Sequence, residues 1–146
     1  MAACPDRPVV AVIAVVAREG RVLPVRRANP PDAGKFGFPG GRVEPGERLE
    51  QAALRALAEE TCVAAEALEV LTALDAIDRD DGGDTRFHYV LAAVLCWWVS
   101  GEGAAADDAS EVRWTLPSEI ERGDIVVSRD VGRVANMGVA RVSGRA

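Results

Sequence analysis

The period of hydrophobic and polar positions changes several times along the chain, and each change marks an element. Val9 to Ala17 is apolar without polar alternation, the pattern of a strand buried on both faces. Arg18-Glu19-Gly20 predicts a tight turn into a second, more loosely alternating strand, Arg21 to Arg27. A Pro/Gly-rich loop over residues 29–34 follows, with Pro30-Pro31 at its centre, then a short extended piece from Phe36 to Pro39. The Gly40-Gly41 pair reads as a point where the backbone is free. From Arg48 to Thr61 the composition predicts the strongest helix of the chain. Pro45-Gly46 stands just before it, and Glu47 and Glu50 place negative charge at its positive end.

Ala67 to Asp78 and Arg86 to Val99 read as two strands joined by a hairpin loop, Asp80-Asp81-Gly82-Gly83-Asp84. An alanine-rich loop then reaches Asp108, and Glu111 to Thr115 reads as a short strand. Ser118 is expected to cap a brief helix, and Ser128 a C-terminal helix running to about Val139. Hairpins around one central helix, with helices at the end, predict an α+β domain layered α/β/α. Neither repeats nor a linker interrupt the pattern, so residues 1–146 are read as one domain.

Composition narrows the function. A length of 146 residues suffices to bury a core, and 49% hydrophobic with 27% charged residues is a globular balance. A net charge of −6 argues against a primary nucleic-acid binder but leaves a small phosphorylated substrate open. Cys4, Cys62 and Cys96 form no CxxC pair, which suggests reduced thiols in a cytoplasmic protein. The run Val9 to Ala17 is too short to span a membrane, and the turn after it favours a buried strand over a signal peptide. No membrane partner is expected.

The chemistry concentrates in Gly40-Gly41-Arg42-Val43-Glu44-Pro45-Gly46-Glu47 and Arg55-Ala56-Leu57-Ala58-Glu59-Glu60. At a helical 100° per residue, Arg55 lies about 40° from Glu59, and Glu59 about 100° from Glu60. The two carboxylates therefore flank one stripe of the helix. Ala52, Ala53 and Ala56 in that stripe would leave room for close approach, with Leu54 and Leu57 packing against a sheet on the other side. Two acids beside a Gly-Gly turn suit a magnesium ion, whose shell phosphates and waters complete. Alone, the same residues also suit a solvated face carrying an Arg55–Glu59 pair.

The full spacing is more specific. Gly41, five residues, Glu47, seven residues, Arg55, then Leu57-Ala58-Glu59-Glu60 and Val63 resembles the Nudix box. Phe38-Pro39-Gly40-Gly41 and Gly34-Lys35-Phe36 also match the family's approach to it. The resemblance implies a mixed β-sheet between helices and a loop–helix–loop whose acids bind Mg2+ or Mn2+. It implies Glu59, Glu60 and the Gly40 carbonyl as metal ligands, and a Glu47–Arg55 ion pair tying loop to helix. The implied catalytic set is therefore Glu47, Arg55, Glu59 and Glu60. Two positions depart: Ala56 stands where the family has a third Glu, and Cys62 where it has Gly. If Cys62 is left-handed, it costs roughly 1 kcal/mol that Gly would not.

Several residues outside the box complete the expectations. Arg26 and Arg27 could grip a phosphate or ribose, or be a solvated strand end. Asp107, Asp108 and Glu111 follow the long strand, where Nudix relatives often supply an extra acid; any of them could replace the carboxylate missing at Ala56, or be a solvated acidic loop. Adjacent Trp97 and Trp98 must face opposite ways, one into the core and the other towards a homodimer surface or a base-stacking wall. The Arg7-Pro8 start, Val25-Arg26-Arg27 and the Phe87-His88-Tyr89-Val90 strand resemble the ADP-ribose pyrophosphatase branch of the family. The resemblance implies a metal-dependent hydrolase cleaving the pyrophosphate of a nucleoside diphosphate linked to another moiety. The alternatives are a nucleoside triphosphate pyrophosphohydrolase and a catalytically weakened nucleotide sensor, the latter favoured by Ala56.

Overall fold

The computed structural model describes residues 6–29 and 32–144; Cys4 and the Pro30-Pro31 step lie outside the described residues. Its elements are β1 (Val9–Arg18), β2 (Arg21–Val22), β3 (Val25–Arg27), β4 (Phe36–Gly37), β5 (Gly40–Arg42), α1 (Leu49–Thr61), β6 (Ala64–Arg79), β7 (Thr85–Ser100), β8 (Ala109–Val112), α2 (Pro117–Arg122) and α3 (Val131–Ser143). Side-chain alternation along β1 decides how they stack. Val12, Ala14 and Val16 pack with Ala52, Ala53 and Leu57 of α1. Val15 and Ala17 pack on the other face with Val131, Val134 and Ala135 of α3. Each buried Val or Leu contributes about 1.5–3 kcal/mol of transfer free energy. A strand apolar on both faces therefore needs a helix on each, which gives the α/β/α layering.

The central sheet is mixed, as expected. β1 runs parallel to β7 from Val9 opposite Tyr89 to Ala17 opposite Trp97. On its other edge it pairs antiparallel with β5 and β2, while β6 and β7 form a long antiparallel hairpin. A second, small sheet has the order β4-β3-β8. Helix α3 lies close on the sheet because residue 138 is glycine: a Cβ there would sit 2.8 Å from Val15 Cγ1.

Five expectations shift. The strand expected from Arg21 to Arg27 breaks at Leu23-Pro24, since proline cannot donate to a ladder; β2 stays with β1 and β3 joins the small sheet. Gly40-Gly41 is not free backbone but strand β5, paired with β1. The last strand lies earlier than expected, at Ala109–Val112, and Thr115 makes only a bridge to Val22. The caps also differ. Glu119 accepts from the Leu116 N–H at 2.7 Å, so Leu116 and not Ser118 precedes α2. Ser128 is drawn into extended pairing beside β4, donating its N–H to the Phe36 carbonyl, so α3 starts after Asp130 and runs to Ser143.

Helix α1 ends at Cys62 in the left-handed conformation, with φ 61°. The cost anticipated for a non-glycine at this position is therefore present. Cys62→Gly should raise the unfolding free energy by about 1 kcal/mol in urea titration; an unchanged or lower midpoint would contradict this reading of the cap.

Candidate active site

Gly40 is where sheet and helix meet. It stands opposite Ile13 of β1, and a Cβ on it would lie 2.3 Å from the Val12 carbonyl oxygen. Only glycine lets β5 approach so closely. Polar groups alternate sides along an antiparallel strand, so the Gly40 N–H turns away from β1 and its carbonyl shares that side. The N–H donates to Glu60 Oε2 at 3.2 Å.

The turn between β5 and α1 is fixed by Arg55. Its Nε and Nη2 donate to the two oxygens of Glu47 at 2.8 and 2.9 Å. Nη2 also reaches the Arg42 carbonyl at 3.1 Å, and Nη1 reaches Glu59 Oε1 at 3.2 Å. Glu47 Oε1 in turn accepts from the Glu44 N–H at 3.0 Å. The hydrogen bond from Arg55, with the backbone donor second, holds the Glu47 carboxyl down to about 2. The loop–helix tie expected of Glu47 and Arg55 is thus formed, in the bidentate geometry that suits guanidinium and carboxylate.

Glu59 and Glu60 occupy different environments. The Glu59 side chain is half exposed and leans on Arg55. Glu60 is partly buried, and burial pushes its carboxyl up to about 7. The Gly40 N–H and the charge of Arg27 oppose that rise, whereas Asp107 and Asp108 reinforce it. The Gly40 N–H touches the Glu60 carboxylate, and Arg27, Asp107 and Asp108 act on it through their charge. Arg26 and Glu111 are paired with each other at 3.6 Å, both half exposed.

Loop 101–108, which carries the two aspartates, is held by contacts that the spacing of motifs did not reveal. Ala104 and Ala106 donate to the carbonyls of Thr61 and Glu60 at 2.8 and 3.1 Å. Those carbonyls end α1 and have no helical partner, which is the signal that something had to cover them. Ala28 N–H and Asn29 Nδ2 hold Asp108 from the side of β3. The alanine stripe also differs from expectation. Ala52, Ala53 and Ala56 are buried together with Leu57 on the sheet-facing side, whereas Leu54 is half-buried. Small residues there let α1 sit close to the sheet rather than admit a ligand. Trp98 packs against the α1-side core, and Trp97 is 41% exposed. His88 stands opposite Ile77 near the hairpin tip.

The donor set fits a hard divalent cation. Among the described residues no three acidic, His or Cys side chains converge into a ready cage. Mg2+ needs none, since it retains waters and is held through one or two carboxylates with substrate phosphates. Glu60, desolvated and close to two further acids, is a carboxylate that positive charge would stabilise as the anion.

A mixed sheet between two helices, with its charged loop and helix at one edge, defines an α+β domain layered α/β/α. The NUDIX domain model matches residues 5–131, and the chain belongs to that family. It is 34% identical over 107 residues to an ADP-ribose pyrophosphatase of Methanocaldococcus jannaschii, covering 73% of this chain and 61% of that protein. It is 31% identical to an RNA pyrophosphohydrolase of Erythrobacter litoralis, over 80% of each chain. The MutT NUDIX hydrolase from Burkholderia pseudomallei superposes with a TM-score of 0.74 at 29% identity, over 89% of this chain and 96% of that one. The NUDIX domain of Shewanella oneidensis NrtR, solved with ADP ribose, also reaches 0.74, at 25% identity over 94% and 90%.

The raised Glu60 carboxyl has a testable sign. Its folded value, about 7, exceeds the unfolded 4.5, so its contribution to stability is complete below pH 4.5 and is lost as pH rises through about 7. In EDTA, wild type should therefore lose stability relative to Glu60→Gln between pH 4.5 and 7. A pH-independent difference in urea midpoints between the two would place Glu60 in an ordinary solvated environment.

Proposed function

We propose that the protein is a divalent-metal-dependent pyrophosphohydrolase acting on a nucleoside diphosphate joined to a second moiety, with ADP-ribose the favoured substrate. The observation that carries this reading is the partly buried Glu60 carboxylate, held by the Gly40 N–H next to the Arg55-tied turn. The names of two relatives support the substrate: one is an ADP-ribose pyrophosphatase, and another was solved with ADP ribose. Glu60, Glu59 and the Gly40 carbonyl would hold Mg2+ or Mn2+, with Glu59 exchanging its Arg55 contact for the ion. Bound there, the ion supplies neutralisation of phosphate charge and activation of water. Arg27 and Arg26 grip the diphosphate through planar guanidinium groups, Arg26 leaving Glu111 to do so.

In the reaction a water oxygen attacks one phosphorus, the bridging P–O bond breaks, and the water proton passes to a carboxylate. An acid of the neighbouring loop, Asp107 or Asp108, takes that proton, because Ala56 offers none and Glu60 is held by the ion. ADP-ribose yields AMP and ribose 5-phosphate by this route. Glu47 and Arg55 act by holding the loop against the helix. The reduced, cytoplasmic setting read from the cysteines suits such a soluble substrate. Ala56 favours a second reading, a nucleotide sensor that binds without turnover, and two relatives named RNA pyrophosphohydrolase keep triphosphate ends in view.

Product release with Mg2+ on ADP-ribose, nucleotide sugars, diadenosine polyphosphates, dGTP and 5′-triphosphorylated RNA separates these readings. ADP-ribose should give the highest kcat/KM, and Glu60→Gln should abolish it. Tight ADP-ribose binding with no turnover of any substrate would leave the sensor standing.

Ala56 is 2% exposed and one helical turn before Glu60. Ala56→Glu should therefore destabilise the protein in EDTA, by burying a second carboxyl, yet raise the Mg2+-dependent rate. A lower rate despite tighter metal binding would mean that the loop acids already fill that role.

A further inference from the structure

The end of β1 remote from Gly40 carries a stack that the chemistry above does not use. Arg18 Cζ lies 3.8 Å from the centroid of the Trp98 ring and 5.7 Å from that of Trp114. Its Nη1 donates to both carboxylate oxygens of Glu102 at 3.1 Å. Trp98 Nε1–H donates to the Gly101 carbonyl at 2.8 Å, and Trp114 Nε1–H to the Glu102 carbonyl at 2.7 Å. Indole nitrogen can only donate, so both rings are committed to two successive carbonyls. Three side chains from three segments thus converge on the entry to loop 101–108.

That loop is continuous with the site. Gly101 has φ 100°, and a Cβ on it would meet the Cys62 carbonyl at 2.9 Å, so the chain enters pressed against the end of α1. Ala104 and Ala106 then cover the last carbonyls of α1, and Ala28 holds the Asp108 carbonyl at 3.0 Å. Between these ties Asp107 adopts φ 54°, and both aspartates bring their charge to Glu60. An exposed Arg–carboxylate pair by itself stabilises little. Here the guanidinium also lies on an indole face, only 24% of the Arg18 side chain is exposed, and the geometry is directional. The distance matters too: Arg18 is five residues along β1 from Ile13, roughly 16 Å at strand rise, so it cannot touch the substrate phosphates held at Gly40.

We propose that Arg18, stacked on Trp98 and Trp114 and paired with Glu102, is a positioning residue that fixes loop 101–108 and so keeps Asp107 and Asp108 beside the end of α1 that carries Glu60. The consequence for catalysis rests on the hydrolase reading, whereas the clamp itself rests on contacts within the chain.

Three variants test it. Arg18→Met keeps an apolar stem on Trp98 and removes the cation, Arg18→Lys restores the cation, and Glu102→Gln alters only an exposed partner. Amide hydrogen exchange in EDTA is read at Ala104 and Ala106 against Val94 in the core. Mn2+ affinity is read by electron paramagnetic resonance, and kcat and KM with ADP-ribose. Arg18→Met should speed exchange at Ala104 and Ala106 with Val94 unchanged, and weaken Mn2+ binding about tenfold. It should lower kcat with KM unchanged; Glu102→Gln should shift all of these the same way, and Arg18→Lys should recover most of the loss. Unaltered loop exchange and Mn2+ affinity in both Arg18→Met and Glu102→Gln would overturn the proposal. So would equal acceleration at Val94, which would make the stack a general stabiliser. Loop and Mn2+ responses without turnover of any of the five substrate classes by wild type would sustain the clamp while removing the hydrolase reading.

Discussion

The Arg55 guanidinium ties helix α1 to the turn before it and to the end of β5. It holds Glu47 in the turn, the Arg42 carbonyl at the end of β5 and Glu59 on its own helix. Charge-assisted, bidentate bonding of this kind fixes direction as well as distance. Because β5 is pressed against β1 through Gly40, fixing the turn also fixes α1 over the sheet. The carboxylate of Glu60 inherits its position from both constraints. A lysine at position 55 would keep the charge and lose the fork.

Two acids adjacent in sequence consequently do different work. Glu59 stays in solvent contact and is neutralised by Arg55. Glu60 turns inward, where burial disfavours its charged form and one backbone N–H compensates only in part. Loop 101–108 brings further negative charge instead of relief. Protonation or a bound cation would relieve that charge, and the proposed diphosphate chemistry would place a cation there. Electrostatic discomfort and proposed function thus have one origin.

Much of this could be read along the chain, and the parts that could not are non-local. The β1 run is apolar in every register, so its burial between two helices was legible before any partner was known. The Gly41–Glu47–Arg55–Glu60 spacing was legible because one turn and one helix carry it. The Gly40-Gly41 pair signals free backbone, whereas the reason for glycine at position 40 is a close backbone approach across the sheet. The alanines of α1 mislead similarly, since small residues serve packing as readily as access. Ser128 failed as a cap through a competing bridge to Phe36, far away in sequence. The Arg18–Glu102 contact, spanning 84 residues, had no sequence signature at all.

Under the proposed function Glu59, Glu60 and the Gly40 carbonyl hold one cation, with the aspartate loop beside it. An anomalous difference map from a crystal soaked in millimolar Mn2+ addresses it directly. A peak is expected against the Glu60 carboxylate, on the side shared with the Gly40 carbonyl. A map with no peak there, or with Mn2+ bound only elsewhere on the chain, would contradict it.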